Sequence, residues 1–84
     1  MTLRKKIDDI DEKLVLLLKD RMDLCKCIGD LKRKNKLSVK DRLREDEVYL
    51  HIMAKALESG LNPQKVEEIF KDIIALAIFI QGAE

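Results

Sequence analysis

The sequence predicts an all-α fold with three helices in one chain. Two observations indicate it. Apolar residues recur at steps of three and four, the spacing of one helical face. The composition, with three glycines, one proline and no tryptophan, also favours helix over strand. A length of 84 residues suits one domain, which we expect to span residues 1–84.

The first helix is predicted over residues 3–34 and carries a heptad seam on one face. Only Arg21 breaks the apolar character of that seam, and no proline interrupts the segment. Such a helix would be about 48 Å long at 1.5 Å per residue. The seam consists of Leu3, Ile7, Ile10, Leu14, Leu17, Arg21, Leu24, Ile28 and Leu31.

A second helix is predicted over residues 42–58, after a loop at residues 35–40. Asp41 has the side chain and the position of an N-cap, because its carboxylate can accept a free main-chain N–H of the first turn. Gly60 favours a stop after this helix. The stripe that faces the core is expected to contain Asp41, Glu45, Val48, Ile52 and Ala56.

The third helix is predicted from Pro63 to Gln81. Asn62 provides a cap, proline is favoured at the first helical position, and Gly82 ends the segment. We expect its buried side to contain Val66, Ile69, Phe70, Ile73, Ala77 and Ile80.

Two short helices cannot cover a first helix of this length. Burial of apolar surface stabilises by about 25 cal/mol per Å², so the uncovered part of the seam should find a partner. We therefore expect a homodimer in which the long helices pair. An antiparallel coiled coil without an active site is the simpler alternative.

Charge and cysteine content argue against several classes of protein. The formal net charge of +1 gives no strong field toward nucleic acid or membrane, and residues 73–80, the longest apolar run, are too few to span a bilayer. The segment KRKNK at residues 32–36 is more simply a solvated helix end than a nucleic-acid site. Cys25 and Cys27 are poorly spaced for a disulfide on a helix and too few for structural zinc. These features, and the lack of an apolar secretion segment behind the first charges, predict a reduced, cytoplasmic protein.

Two cations lie on one line of the first helix. Arg21 and Lys32 fall within about 40° of each other and about 16 Å apart along the axis, with Cys25 and Ile28 between them. Long side chains leaning together from these positions can close on a small anion. Arg21 alone has simpler interpretations, namely a pair with an acid of another helix or a side chain that reaches out to solvent.

Further polar residues extend the apolar faces of the other two helices. Asp41, Arg44 and Glu45 lie at the start of the second helix, and Gln81 lies at the end of the third. Separately they are a cap, a solvated first turn and a frayed terminus. Together with the cations they supply an anion clamp, hydroxyl acceptors and a neutral donor, a set that suits a small polyoxygenated acid.

Arg4 lies beside the seam, but about 25 Å from Arg21 along the same helix. The two side chains cannot reach one small ligand within a chain. In an antiparallel pair of long helices, Arg4 of one chain would approach the middle of the other. The alternative is an ordinary surface arginine in a first turn.

Nearly the whole chain resembles the all-helical chorismate mutase family. The resemblance is carried by RKKIDDIDEKLVLLLKDR at residues 4–21, by GDLK at residues 29–32, by VKDRLRE at residues 39–45, and by Gln81. It implies an intertwined homodimer that converts chorismate to prephenate in the shikimate pathway, for phenylalanine and tyrosine synthesis. It also implies that neither a metal nor a cofactor is needed, because the Claisen rearrangement is unimolecular and pericyclic.

The resemblance also assigns roles to residues at the carboxylate end of the substrate. Arg21 and the partner subunit's Arg4 would bind the two carboxylates, and Arg44 would support that end of the site. Ala77 stands where some members carry a serine that contacts a carboxylate, a contact worth about 1 kcal/mol.

At the other end, the same resemblance assigns Lys32 and Gln81 to the ether oxygen. Glu45 and the region of Asp41 would hold the ring hydroxyl.

Two rival functions stay open. An isochorismate–pyruvate lyase resembles this fold, although the acidic helix start, from Asp41 to Glu45, favours the mutase. A non-enzymatic coiled-coil module would explain the heptads, but not Arg21 or Gln81.

Overall fold

The computed structural model describes residues 2–38 and 41–82. These residues form three helices: α1 (Leu3–Lys34), α2 (Arg42–Glu58) and α3 (Pro63–Ile80). The predicted all-α class and the predicted bounds of α1 and α2 are confirmed. Part of the predicted loop, residues 39–40, lies outside the described residues.

The helix ends follow from local capping. Each helix begins at a side chain that accepts the main-chain N–H three residues further on, which satisfies one of the free donors of the first turn. These caps are Thr2 at 3.1 Å, Asp41 at 3.1 Å and Asn62 at 3.0 Å. Gly60, with φ of 82°, turns the chain after α2. The third helix ends one residue earlier than predicted, because Gln81 is its C-cap and Gly82, with φ of 75°, turns the chain away.

Helix α3 packs against both other helices. It follows α2 after a short loop at residues 59–62, and its C-terminal end meets α1 at Gly29. The N-terminal half of α1 extends beyond this contact, so that the molecule measures 51 × 24 × 17 Å. No helix in the described part of the chain is both long and apolar enough to cross a membrane.

The core within one chain is small. Its buried apolar residues are Met22, Ala56, Ile74 and Ala77. Ile69 was predicted to be buried, but it is 59% exposed. It lies about 140° around α3 from Ile74, on a side that neither α1 nor α2 covers.

The predicted seam of α1 is exposed in the single chain. The fractional exposure of its eight apolar residues ranges from 49% at Ile28 to 77% at Leu3. The chain exposes 7030 Å² in all, whereas a compact monomer of 9.7 kDa exposes about 5,100 Å². Its radius of gyration is 15.1 Å, against about 12 Å for a compact domain of this length. One chain therefore leaves most of its apolar seam uncovered.

Candidate active site

A cavity of about 280 Å³ lies where the three helices meet. It is bounded by the C-terminal half of α1, the start of α2 and the end of α3. Seven of the eight predicted site residues line it, although they come from distant parts of the sequence. They are Arg21, Lys32, Asp41, Arg44, Glu45, Ala77 and Gln81. The remaining walls are Leu24, Cys25, Ile28, Val48, Ile74 and Ile78.

Helix α1 presents its two cations to the cavity because they lie on one line of its surface. Arg21 is half-buried, and its Nη1 lies 3.8 Å from the Cys25 sulfur. Ile28 continues the line as an apolar wall, and Lys32 ends it. The spacing of four, three and four residues keeps all of them on one face of the helix.

An ion pair between Lys32 and Asp41 connects the end of α1 to the start of α2. Lys32 Nζ lies 3.6 Å from Asp41 Oδ2, and the lysine side chain is only 22% exposed. The other oxygen of Asp41 accepts the Arg44 N–H as the cap of α2. A single carboxylate thus starts α2 and holds the lysine at the cavity. Both residues were expected in the site from the sequence, but this ion pair was not.

The first turns of α2 bring both signs of charge to the cavity. Glu45 is half-buried, whereas Arg44 is exposed and forms an ion pair with Glu47 at 3.4 Å. Partial burial, followed by the charges of Glu45 and other nearby carboxylates, raises the pKa of Tyr49 above its ordinary value of 10.0.

Gln81 brings a neutral carboxamide from the end of α3. It is a buried polar residue, 8% exposed, and packs on Gly29 of α1. Arg33 Nη1 donates a hydrogen bond to the Gln81 main-chain carbonyl. From the sequence, Arg33 was expected only to be part of a basic helix end. The sequence signal that could have indicated its role was its position, one helical turn after Gly29 and next to Lys32.

Arg4 is the predicted site residue that lies apart from the others. It is exposed in the first turn of α1, about 25 Å along that helix from Arg21. The cavity of one chain therefore contains Arg21 and Arg44 but lacks Arg4, the other carboxylate ligand that the resemblance assigns to it.

The two cysteines have separate surroundings. Cys25 lines the cavity, and Cys27 is exposed; both are free thiols. In the described residues, no group of three potential ligands among His, Cys, Asp and Glu is placed to hold a metal ion.

The lining defines the class of site. Three cations, two carboxylates and one carboxamide surround a small space with apolar walls. Such a lining suits a small anion with several oxygens. The fold and the cavity together define a helical protein with a candidate small-anion site.

Comparison with known proteins identifies the family. Residues 3–82 match the model of the family described as chorismate mutase type II. The chain is 35% identical over 82 residues to a bifunctional chorismate mutase/prephenate dehydratase of Aquifex aeolicus, covering 94% of this chain and 23% of that protein. It is 31% identical over 72 residues to a chorismate mutase of Methanocaldococcus jannaschii, covering 86% of this chain and 73% of that protein. The chain belongs to the chorismate mutase type II family, which confirms the resemblance.

Proposed function

We propose that this protein catalyses the rearrangement of chorismate to prephenate, as an isomerase of phenylalanine and tyrosine synthesis. One observation carries the proposal beyond family membership. A single cavity gathers three cations, two carboxylates and a carboxamide from all three helices, and chorismate offers two carboxylates, an ether oxygen and a hydroxyl to such groups. The catalytic unit would be one domain spanning residues 1–84.

The first task of the site is to fold the substrate. The enolpyruvyl arm of chorismate must lie over the ring before the new C–C bond can form. In our proposal Arg21 and the partner subunit's Arg4 bind the two carboxylates, and Arg44 supports the same end. Fixing both carboxylates removes most of the conformational freedom that opposes the reaction.

The second task is electrostatic. As the C–O bond breaks, negative charge grows on the ether oxygen, and Lys32 and Gln81 would donate hydrogen bonds to it. Donors that are already oriented stabilise this charge without reorganisation, and they act more strongly on the transition state than on the substrate. The ion pair with Asp41 supports this role, because it keeps the Lys32 ammonium at the cavity before substrate binds.

The remaining residues would set orientation and affinity. Glu45 and Asp41 would accept the ring hydroxyl. Ala77 leaves one carboxylate without the serine hydroxyl found in some members, which weakens substrate binding by about 1 kcal/mol without removing a group that the chemistry needs.

We also propose that the working form is a homodimer with paired α1 helices. The chain exposes about 1,900 Å² more than a compact monomer of its size. Losing that much surface per chain corresponds to the large apolar interfaces of obligate dimers. An antiparallel pair would bring the partner subunit's Arg4 toward the cavity. Free cysteines and the predicted pathway support a cytoplasmic location.

An assay with two substrates tests the proposed reaction. Purified protein is incubated with chorismate or with isochorismate, and the products are separated by chromatography and identified by NMR. We expect prephenate from chorismate, and an Arg21→Ala variant that forms almost none. Formation of salicylate and pyruvate from isochorismate, with no prephenate from chorismate, would identify the protein as a lyase. A folded dimer that consumes neither substrate would indicate a coiled-coil interaction module.

A further inference from the structure

We propose that Arg33 and Gly29 are positioning residues that fix the carboxamide of Gln81, an inference that rests on the proposed function of that residue. Neither residue lines the cavity. Both touch Gln81 from α1, one at its main chain and one at its side chain. They lie one helical turn apart and therefore share a face of α1.

Arg33 holds the end of α3 through the Gln81 main chain. The Gln81 N–H donates to the Ala77 carbonyl at 3.0 Å, but a carbonyl at the last position of a helix has no donor within the helix. Arg33 Nη1 supplies that donor, and Arg33 Nη2 donates to Asp30 at 2.5 Å. The guanidinium thus bridges a carboxylate of α1 and the terminus of α3, where Gln81 lies 48 residues beyond Arg33 in sequence.

Gly29 allows the side chain of Gln81 to lie against α1. A Cβ at position 29 would be 2.9 Å from Gln81 Cγ, closer than Cβ atoms normally approach, and 3.0 Å from Gln81 Cβ, which is also tight. Glycine is a poor helix former compared with alanine. Its presence in the C-terminal half of α1 is explained by this close approach rather than by helix stability.

The Gln81 carboxamide makes no hydrogen bond to the described part of the chain, so its direction depends on these two contacts. Lys32, the other donor proposed for the ether oxygen, lies between Gly29 and Arg33 in sequence. Residues 29–33 therefore include one donor, Lys32. They position the other donor, Gln81, through its contacts with Gly29 and Arg33. A single turn of α1 would set the distance between the two donors.

A double-mutant cycle in the full-length protein tests this role. We expect Arg33→Ala to lower kcat about tenfold with KM changed by less than about twofold, because a group that is misplaced in the transition state reduces kcat. Arg33→Lys should recover part of the loss. Lys34→Ala, which removes the neighbouring cation, should change kcat by less than about twofold.

The cycle is completed in a Gln81→Ala background. If Arg33 acts through the carboxamide, Arg33→Ala should lower kcat there by less than about twofold. Equal losses in both backgrounds would show that Arg33 acts on the structure in general. Wild-type kcat in a folded Arg33→Ala dimer would also overturn the proposal.

NMR provides a readout that does not depend on turnover. The side-chain NH₂ signals of Gln81 are assigned by their loss in Gln81→Ala. We expect them to shift or broaden in Arg33→Ala and in Gly29→Ala, but not in Lys34→Ala. Unchanged signals in Arg33→Ala would refute the positioning role even if the wild type is active. An inactive wild type whose signals respond as expected would refute the proposed function alone.

Discussion

Lys32 is the residue in which structure and proposed chemistry meet most closely. Its side chain is largely buried, on a face of α1 that carries Arg21 and several apolar residues. Asp41 balances the charge at 3.6 Å, so the ammonium can remain ionised beside the cavity. A cation in this position contributes little to packing, and in our proposal its place serves a ligand that develops negative charge.

Replacing Lys32 by alanine separates its contribution to catalysis from its contribution to stability. We expect kcat to fall by about 10²–10³-fold, the usual effect of removing one preorganised donor. The free energy of unfolding should change by only about 1 kcal/mol, because a partly exposed ion pair contributes little. Steady-state kinetics and urea unfolding measure the two effects, with Lys34→Ala as the matched control. A Lys32→Ala enzyme with near wild-type turnover would rule out the assignment.

At the scale of elements, the site is built from helix ends. Cap residues and the heptad pattern are local signals, which explains why the bounds of α1 and α2 could be predicted from sequence. The contacts between Lys32 and Asp41 and between Arg33 and Gln81 could not be predicted in this way. Each depends on how two helices meet, and the second joins residues 48 positions apart. Sequence reasoning therefore found most of the cavity lining but missed the contacts that orient it.

Two substitutions of Asp41 can distinguish its role as the N-cap of α2 from its role as the charged partner of Lys32. Asparagine caps helices as well as aspartate does, so Asp41→Asn should keep the stability of α2, whereas Asp41→Ala should cost about 1 kcal/mol. Both variants lose the ion pair with Lys32, and both should lower kcat/KM. Urea unfolding with parallel kinetics checks this. Equal loss of stability in the two variants would mean that the charge, rather than the cap, stabilises the start of α2.

At the scale of the whole molecule, the exposed seam is the dominant feature. The heptad pattern was visible in the sequence, and it indicates that a face is apolar without indicating which chain covers it. Ile69 illustrates the limit of such patterns. It has the helical spacing of a buried residue, yet it is 59% exposed because neither helix of its own chain reaches it.

A charge in the seam should disrupt the dimer. Leu14 is 53% exposed in the single chain and lies in the middle of the seam, so Leu14→Glu would bury a carboxylate between paired helices. We expect sedimentation to show wild-type protein at about twice the chain mass of 9.7 kDa, and the variant as a monomer with a lower Tm. Leu50→Glu, at a 72% exposed position of α2 outside the seam, is the control and should remain dimeric. A dimeric Leu14→Glu protein would place the interface elsewhere.

The central claim is that each cavity is completed by Arg4 of a second chain, and mixing two inactive variants tests it most directly. Arg4→Ala and Arg21→Ala chains are unfolded together, refolded and assayed for prephenate. Each heterodimer would contain one site with both arginines intact, so random exchange predicts about a quarter of wild-type activity. Recovery to that level would support a site shared between subunits. No recovery, with heterodimers verified by mass spectrometry, would contradict it.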